Sequence, residues 1–102
     1  MMTADIYKAM GDPIRLTLIR RLAANQPLSI GDLSKNLGIS RQGARKQIQV
    51  LVDAELVELR PQGRSTEVLL QSEKLRQARD FITHLEAQWD QRLAALKDFV
   101  ED

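Results

Sequence analysis

The chain has 102 residues, 43% of them hydrophobic and 28% charged, with a net charge of +1, which suits one small folded domain over 1–102. It has no cysteine and a single histidine, His84, which excludes disulfides, thiolate metal sites, cysteine nucleophiles and a histidine-rich metal centre. No apolar run approaches a membrane span and the start MMTADIYKAM is not a signal peptide, so the chain is expected to stay in the cytoplasm.

The first helix is expected from about Ala4 to Met10. Asp12 then suits an N-cap and Pro13 a first helical position, so a second helix starts there. Its apolar face is Ile14, Leu18, Ile19 and Leu22, and Asn25-Gln26-Pro27 ends it. Ser29 opens a short third helix with Asp32 three residues on, and Leu33 and Leu37 face inward. Gly38 is the residue type that a left-handed helix stop prefers. Ser40 caps the next helix, which runs to about Ala54 with Ala44, Ile48, Leu51 and Val52 as its apolar face.

Leu56, Val57 and Leu59 read as a strand, Pro61-Gln62-Gly63 as a turn, and Ser65 to Leu70 as a second strand. Arg60 and Arg64 flank that turn, which gives the hairpin a basic tip. Ser72 opens a last helix that meets no breaker before about Val100, roughly 43 Å at about 1.5 Å per residue. Its heptads place Leu75, Ile82, Trp89 and Leu96 on one seam and Ala78, Leu85, Arg92 and Phe99 on the other. So small a domain cannot cover a helix of this length, and a second copy of the same helix is the simplest partner. Trp89 is either a buried seam residue or the wall of a small-molecule pocket at that interface. Arg92 either pairs with a carboxylate across the seam or reaches out to water.

A short helix, a tight turn and an amphipathic helix make a helix-turn-helix, and the hairpin after it makes it winged. The expected fold is therefore mainly α, a winged helix-turn-helix with a two-stranded wing and a long C-terminal dimerisation helix over about 72–100. Charge follows the same plan. Residues 40–51 carry Arg41, Arg45 and Lys46 and no acid, whereas residues 72–102 carry seven acids against five bases. The start of the fourth helix would enter a major groove of double-stranded DNA. There Gln42 can pair with adenine, and Arg41 or Arg45 with guanine. Ser40 suits a phosphate, Gly43 leaves room for close approach, Lys46 adds charge, and Arg64 with help from Arg60 meets a phosphate or the minor groove. The competing readings are an ordinary solvated helix face and a solvated turn. No glycine-rich phosphate loop, paired catalytic carboxylates or nucleophile beside a histidine is present, so neither an enzyme nor a cofactor is expected.

Three stretches resemble the ArsR family of bacterial regulators: KAMGDPIRLTLIRRLA, LSIGDLSKNLGISRQGARKQIQVLVDAELVE and GRSTEVLL. The ending RQARDFITHLEAQWDQRLAALKDFV is similar to a branch whose last helix carries a tryptophan and an Arg-Leu pair. The resemblance implies a homodimer whose first and last helices form the interface, which brings in Ile6, and repression at a promoter operator. It leaves room for a small-molecule effector. The family usually has Ser and His where Arg45 and Gln47 stand, Gly where Glu55 stands, and an aromatic where Leu69 stands. These departures bear on which DNA sequence is preferred. Metal-sensing members carry a cysteine pair in the third helix, or His and carboxylate ligands on the last. Here the third helix has no cysteine, and Asp80 and His84 are too few for such a site, so no metal is expected. The alternative function is a winged helix that binds another protein and no DNA.

Overall fold

The structure, a computed structural model, describes residues 3–101. Its elements are α1 (Thr3–Met10), α2 (Pro13–Ala24), β1 (Leu28–Ser29), α3 (Ile30–Leu33), α4 (Arg41–Asp53), β2 (Val57–Gln62), β3 (Ser65–Leu70) and α5 (Ser72–Glu101). Local chemistry sets the helix starts. The Asp12 carboxylate accepts from the N–H groups of Ile14 and Arg15 at 2.9 and 3.1 Å, and Pro13 begins α2. Ser29 Oγ accepts from Asp32 N at 3.0 Å, and Ser40 Oγ accepts from Gly43 N at 3.0 Å. Between α3 and α4 the chain turns through two left-handed residues, Asn36 (φ 57°) and Gly38 (φ 75°).

The apolar faces of α1, α2 and α4 meet over the sheet. Ile6, Leu18, Leu22, Leu33, Leu51, Leu56 and Val68 are fully enclosed. Each such side chain contributes roughly 2 kcal/mol of burial. Leu37 and Val52 pack on the edge of this core rather than inside it.

The sheet is larger than the expected hairpin. It has three antiparallel strands in the order β1-β3-β2, with Leu28 opposite Val68 and Ser29 opposite Glu67. The third strand is β1, two residues that read as loop and helix cap from sequence because a strand so short exists only through its partner. Gln26 Oε1 extends that edge by accepting from Leu70 N at 2.8 Å. The hairpin turn is also one step later than expected. Pro61 and Gln62 belong to β2, Gln62 faces Ser65, and Gly63-Arg64 alone make the turn, with Gly63 at φ 62°. Glycine with positive φ at the first turn position fits a type II′ hairpin.

Two residues expected at the dimer interface, Ile6 (0% exposed) and Ala78 (5%), are enclosed within the single chain, where α1 packs on the first turns of its own α5. Tyr7 Oη donates to the Ala78 carbonyl, the Tyr7 and Phe81 rings lie 6.0 Å apart, and Gln77 Nε2 donates to Thr3 Oγ1 at 3.3 Å. Leu75 is half-buried against the same core. From Arg79 to Val100 every α5 residue is exposed. The radius of gyration is 18.4 Å, against about 13 Å for a compact chain of this size, because this rod projects. Among the described residues no helix is long and apolar enough to cross a membrane.

Candidate nucleic-acid interface

Two arginines of α2 hold the helix-turn-helix in place. Arg15 donates from Nε to the Ala9 carbonyl, from Nη2 to the Lys8 carbonyl at 3.2 Å, and from Nη1 to Gln47 Oε1 at 2.7 Å. It thereby ties the end of α1 to the inner side of α4. Arg21 donates to the carbonyls of Leu33, Lys35 and Asn36, which are the otherwise free carbonyls where α3 stops. In the sequence both look like surface charges. Their carbonyl acceptors are remote in sequence, so nothing local signals the role.

With its inner side fixed, α4 presents Arg41, Gln42, Arg45 and Lys46 outward, all exposed, while Ala44, Ile48 and Leu51 are buried. Gln49 joins the same outer face one turn on and donates to Asp53 Oδ1 at 2.9 Å. The sequence reading omitted it, although it stands four residues after Arg45 and seven after Gln42, the spacing of one helix face. Ser40 is exposed, and its oxygen is engaged as the cap acceptor, which leaves the hydroxyl proton free to donate. A Cβ at Gly43 would meet Ser40 Oγ at 3.2 Å and Ile39 Cδ1 at 3.7 Å, so the glycine also gives the cap room.

Four cations among the described residues form ion pairs. Lys35 pairs with Asp32, Arg60 with Glu58, Lys74 with Glu55, and Arg79 with Asp80. Lys35 lies 2.9 Å from Asp32 and donates to it, which holds that carboxyl below its ordinary range. Among the described residues, Arg41, Arg45, Lys46 and Arg64 form no ion pair. Arg64 sits in the hairpin turn itself, at the wing tip. Arg60 does not flank the turn: it lies within β2, 2.8 Å from Glu58 and opposite Glu67, so its charge is largely matched. The positive charge on the exposed side of α4 and at the wing tip is thus unmatched, and an external polyanion can reach both.

The family model described as a helix-turn-helix domain matches residues 10–60, which cover α2 to α4 and most of β2. An ArsR-like transcriptional regulator from Rhodococcus sp. RHA1 superposes with a TM-score of 0.82 at 28% identity, over 95% of this chain and 91% of that one. The chain belongs to the ArsR family of winged helix-turn-helix proteins. Reduced HlyU from Vibrio cholerae N16961 is similar to this ArsR-family chain with a TM-score of 0.65 at 26% identity, over 80% of this chain and 85% of that one. The HTH-type transcriptional regulator Rv2034 of Mycobacterium tuberculosis is 37% identical over 57 residues, 56% of this chain. That match spans 52% of the curated relative's length.

The rest of the site expectations fall on α5. Ile82, Leu85, Trp89, Leu96 and Phe99 are exposed by 46, 47, 58, 52 and 81%. Phe81, Leu93 and Val100 join them, three residues that the strict heptad reading left out. At 100° per residue these side chains fill a stripe about 120° wide with Arg92 inside it. Asp80 and His84 lie on the other side of the rod, and Arg79 takes the Asp80 carboxylate at 3.3 Å.

Proposed function

We propose that this protein is a sequence-specific DNA-binding transcriptional regulator that works as a homodimeric repressor at a promoter operator. The observation that carries the reading is the group of unpaired cations on one exposed face: Arg41, Arg45 and Lys46 on α4, with Arg64 at the wing tip. In this reading α4 lies in the major groove, where Gln42 and Arg41 contact base edges. Ser40, Lys46 and Arg64 hold phosphates, with Arg60 at the periphery because Glu58 already matches it. Membership of the ArsR family and the likeness to an ArsR-like transcriptional regulator support regulation over a purely structural role.

The homodimer rests on α5. A solvated helix does not keep Ile82, Leu85, Trp89, Leu93 and Leu96 on one stripe, because an exposed apolar patch of that extent marks an interface. Two rods joined along their stripes would hold two copies of α4 about one helical turn of DNA apart, roughly 34 Å.

Anisotropy titrations of the full chain on duplex DNA at several salt concentrations test the reading. The affinity is expected to fall steeply with salt, because released counterions drive the binding. Gln42→Ala is expected to relax preference at one base position with non-specific affinity nearly unchanged. An equal loss on operator and random duplexes would remove Gln42 from the base-reading set. No binding at low salt would remove the function.

A further inference from the structure

Between the start of α3, the outer side of α4 and the wing lies a cleft of about 330 Å³, lined by Ser29, Gly31, Arg45, Arg64, Ser65 and Thr66. It brings together two guanidinium groups 19 positions apart in sequence, one from the recognition helix and one from the hairpin turn. No carboxylate is among the lining residues. The nearest acids in sequence are accounted for. Asp32 is held by Lys35 at 2.9 Å, and Glu67 lies opposite Arg60 on the neighbouring strand. Two like charges on one small cleft repel each other until an anion enters.

One hydroxyl is placed to help. Ser29 is occupied: its Oγ accepts from Asp32 N, and its hydroxyl donates to the Asp32 carboxylate. Among the described residues the Thr66 hydroxyl has no partner. Ser65 gives its proton to the Gln62 carbonyl at 3.1 Å and so contributes small size rather than a donor. The short strand β1 supplies the alignment. By pairing Ser29 with Glu67 it pins the wing strand to the start of the helix-turn-helix and sets the reach from Arg64 to Arg45.

We propose that this cleft clamps a single DNA backbone phosphate, held jointly by Arg45 from α4 and Arg64 from the wing, with Thr66 as a neutral donor. The proposal rests on the DNA-binding reading above and deepens it. It gives Arg45 a backbone role instead of the base-reading role expected from its place in the helix. Two guanidiniums on one phosphodiester group suit the planar, multi-donor geometry of arginine.

The test uses the full chain and the variants Arg45→Ala, Arg64→Ala and the double variant, titrated on a preferred duplex and on a scrambled one across a salt series. Both side chains are exposed, and unchanged melting temperatures confirm that the variants fold. Each single variant is expected to lose about tenfold in affinity on both duplexes, with base preference unchanged. The double variant is expected to lose less than the product of the two, and its salt slope to fall by about 0.9 per protomer, as for one phosphate. A neutral methylphosphonate placed at successive backbone positions is expected to weaken the wild type at one position per half-site where the double variant is indifferent. Multiplicative losses with twice that change in slope mean two separate phosphates and overturn the clamp. A changed base preference in Arg45→Ala also overturns it. A wild type that ignores DNA at low salt overturns the DNA-binding reading itself and the clamp with it, whereas tight wild-type binding with indifferent variants sinks the clamp alone.

Discussion

Glu55 follows the end of α4 at φ 59°, a left-handed conformation that costs a residue with a Cβ roughly 1–2 kcal/mol. Its ion pair with Lys74, long at 3.5 Å and exposed on the Glu55 side, offsets little of this. Glu55→Gly is therefore expected to raise stability by about 1 kcal/mol in urea unfolding, after the greater unfolded-state freedom of glycine is subtracted. A loss of stability would mean that the ion pair outweighs the backbone. Arg15 works in the opposite sense. Arg15→Ala frees two carbonyls and the Gln47 side chain at the joint of α1, α2 and α4. It is expected to cost about 2 kcal/mol and to weaken DNA binding beyond what one lost surface charge explains. Asp32 supplies a small pH dependence. Its folded pKa lies below the ordinary value, so its contribution is complete above the usual carboxylate range and is lost as pH falls through the folded pKa. The stability difference between wild type and Asp32→Asn should be constant near neutrality and vanish in acid.

At the scale of elements, sequence shows what is local and misses what needs a remote partner. The caps Asp12, Ser29 and Ser40 act within three residues of themselves, and all three were legible. So was the outer face of α4, because helical spacing alone places it. Strand β1 was not legible, since two residues carry no periodicity and its existence depends on β3. The wing turn was misplaced for a related reason. Pro61 signals a turn in isolation, yet β2 is an edge strand. The pair Gln62–Ser65 closes the two-residue loop and carries its hydrogen bonds, so the next pair, Pro61–Thr66, needs no N–H. Gly63 is the residue that the turn requires. A Cβ there would touch nothing within 4 Å, so Gly63→Ala isolates the cost of positive φ, expected at about 1 kcal/mol. Because the turn aims Arg64, the same substitution is expected to lower DNA affinity more than stability alone accounts for.

The whole molecule is a folded head on a bare rod, 69 Å long and 25 by 23 Å across. Heptad spacing made the rod legible, but not the point where the head stops covering it. That boundary depends on Tyr7 and Ile6 of α1 closing over Ala78, a contact between opposite ends of the chain. In the proposed homodimer, Leu85→Lys with Leu96→Lys is expected to give monomers by analytical ultracentrifugation. The head should melt unchanged, since both side chains are about half exposed in the single chain. Dimers that persist would move the interface off the α5 stripe. Selection of bound sites from a pool of random duplexes reads the charged face and the dimer together. The account predicts enrichment of two inverted half-sites centred about one helical turn apart, roughly 34 Å. A pool that emerges unenriched after repeated rounds at low salt would contradict it.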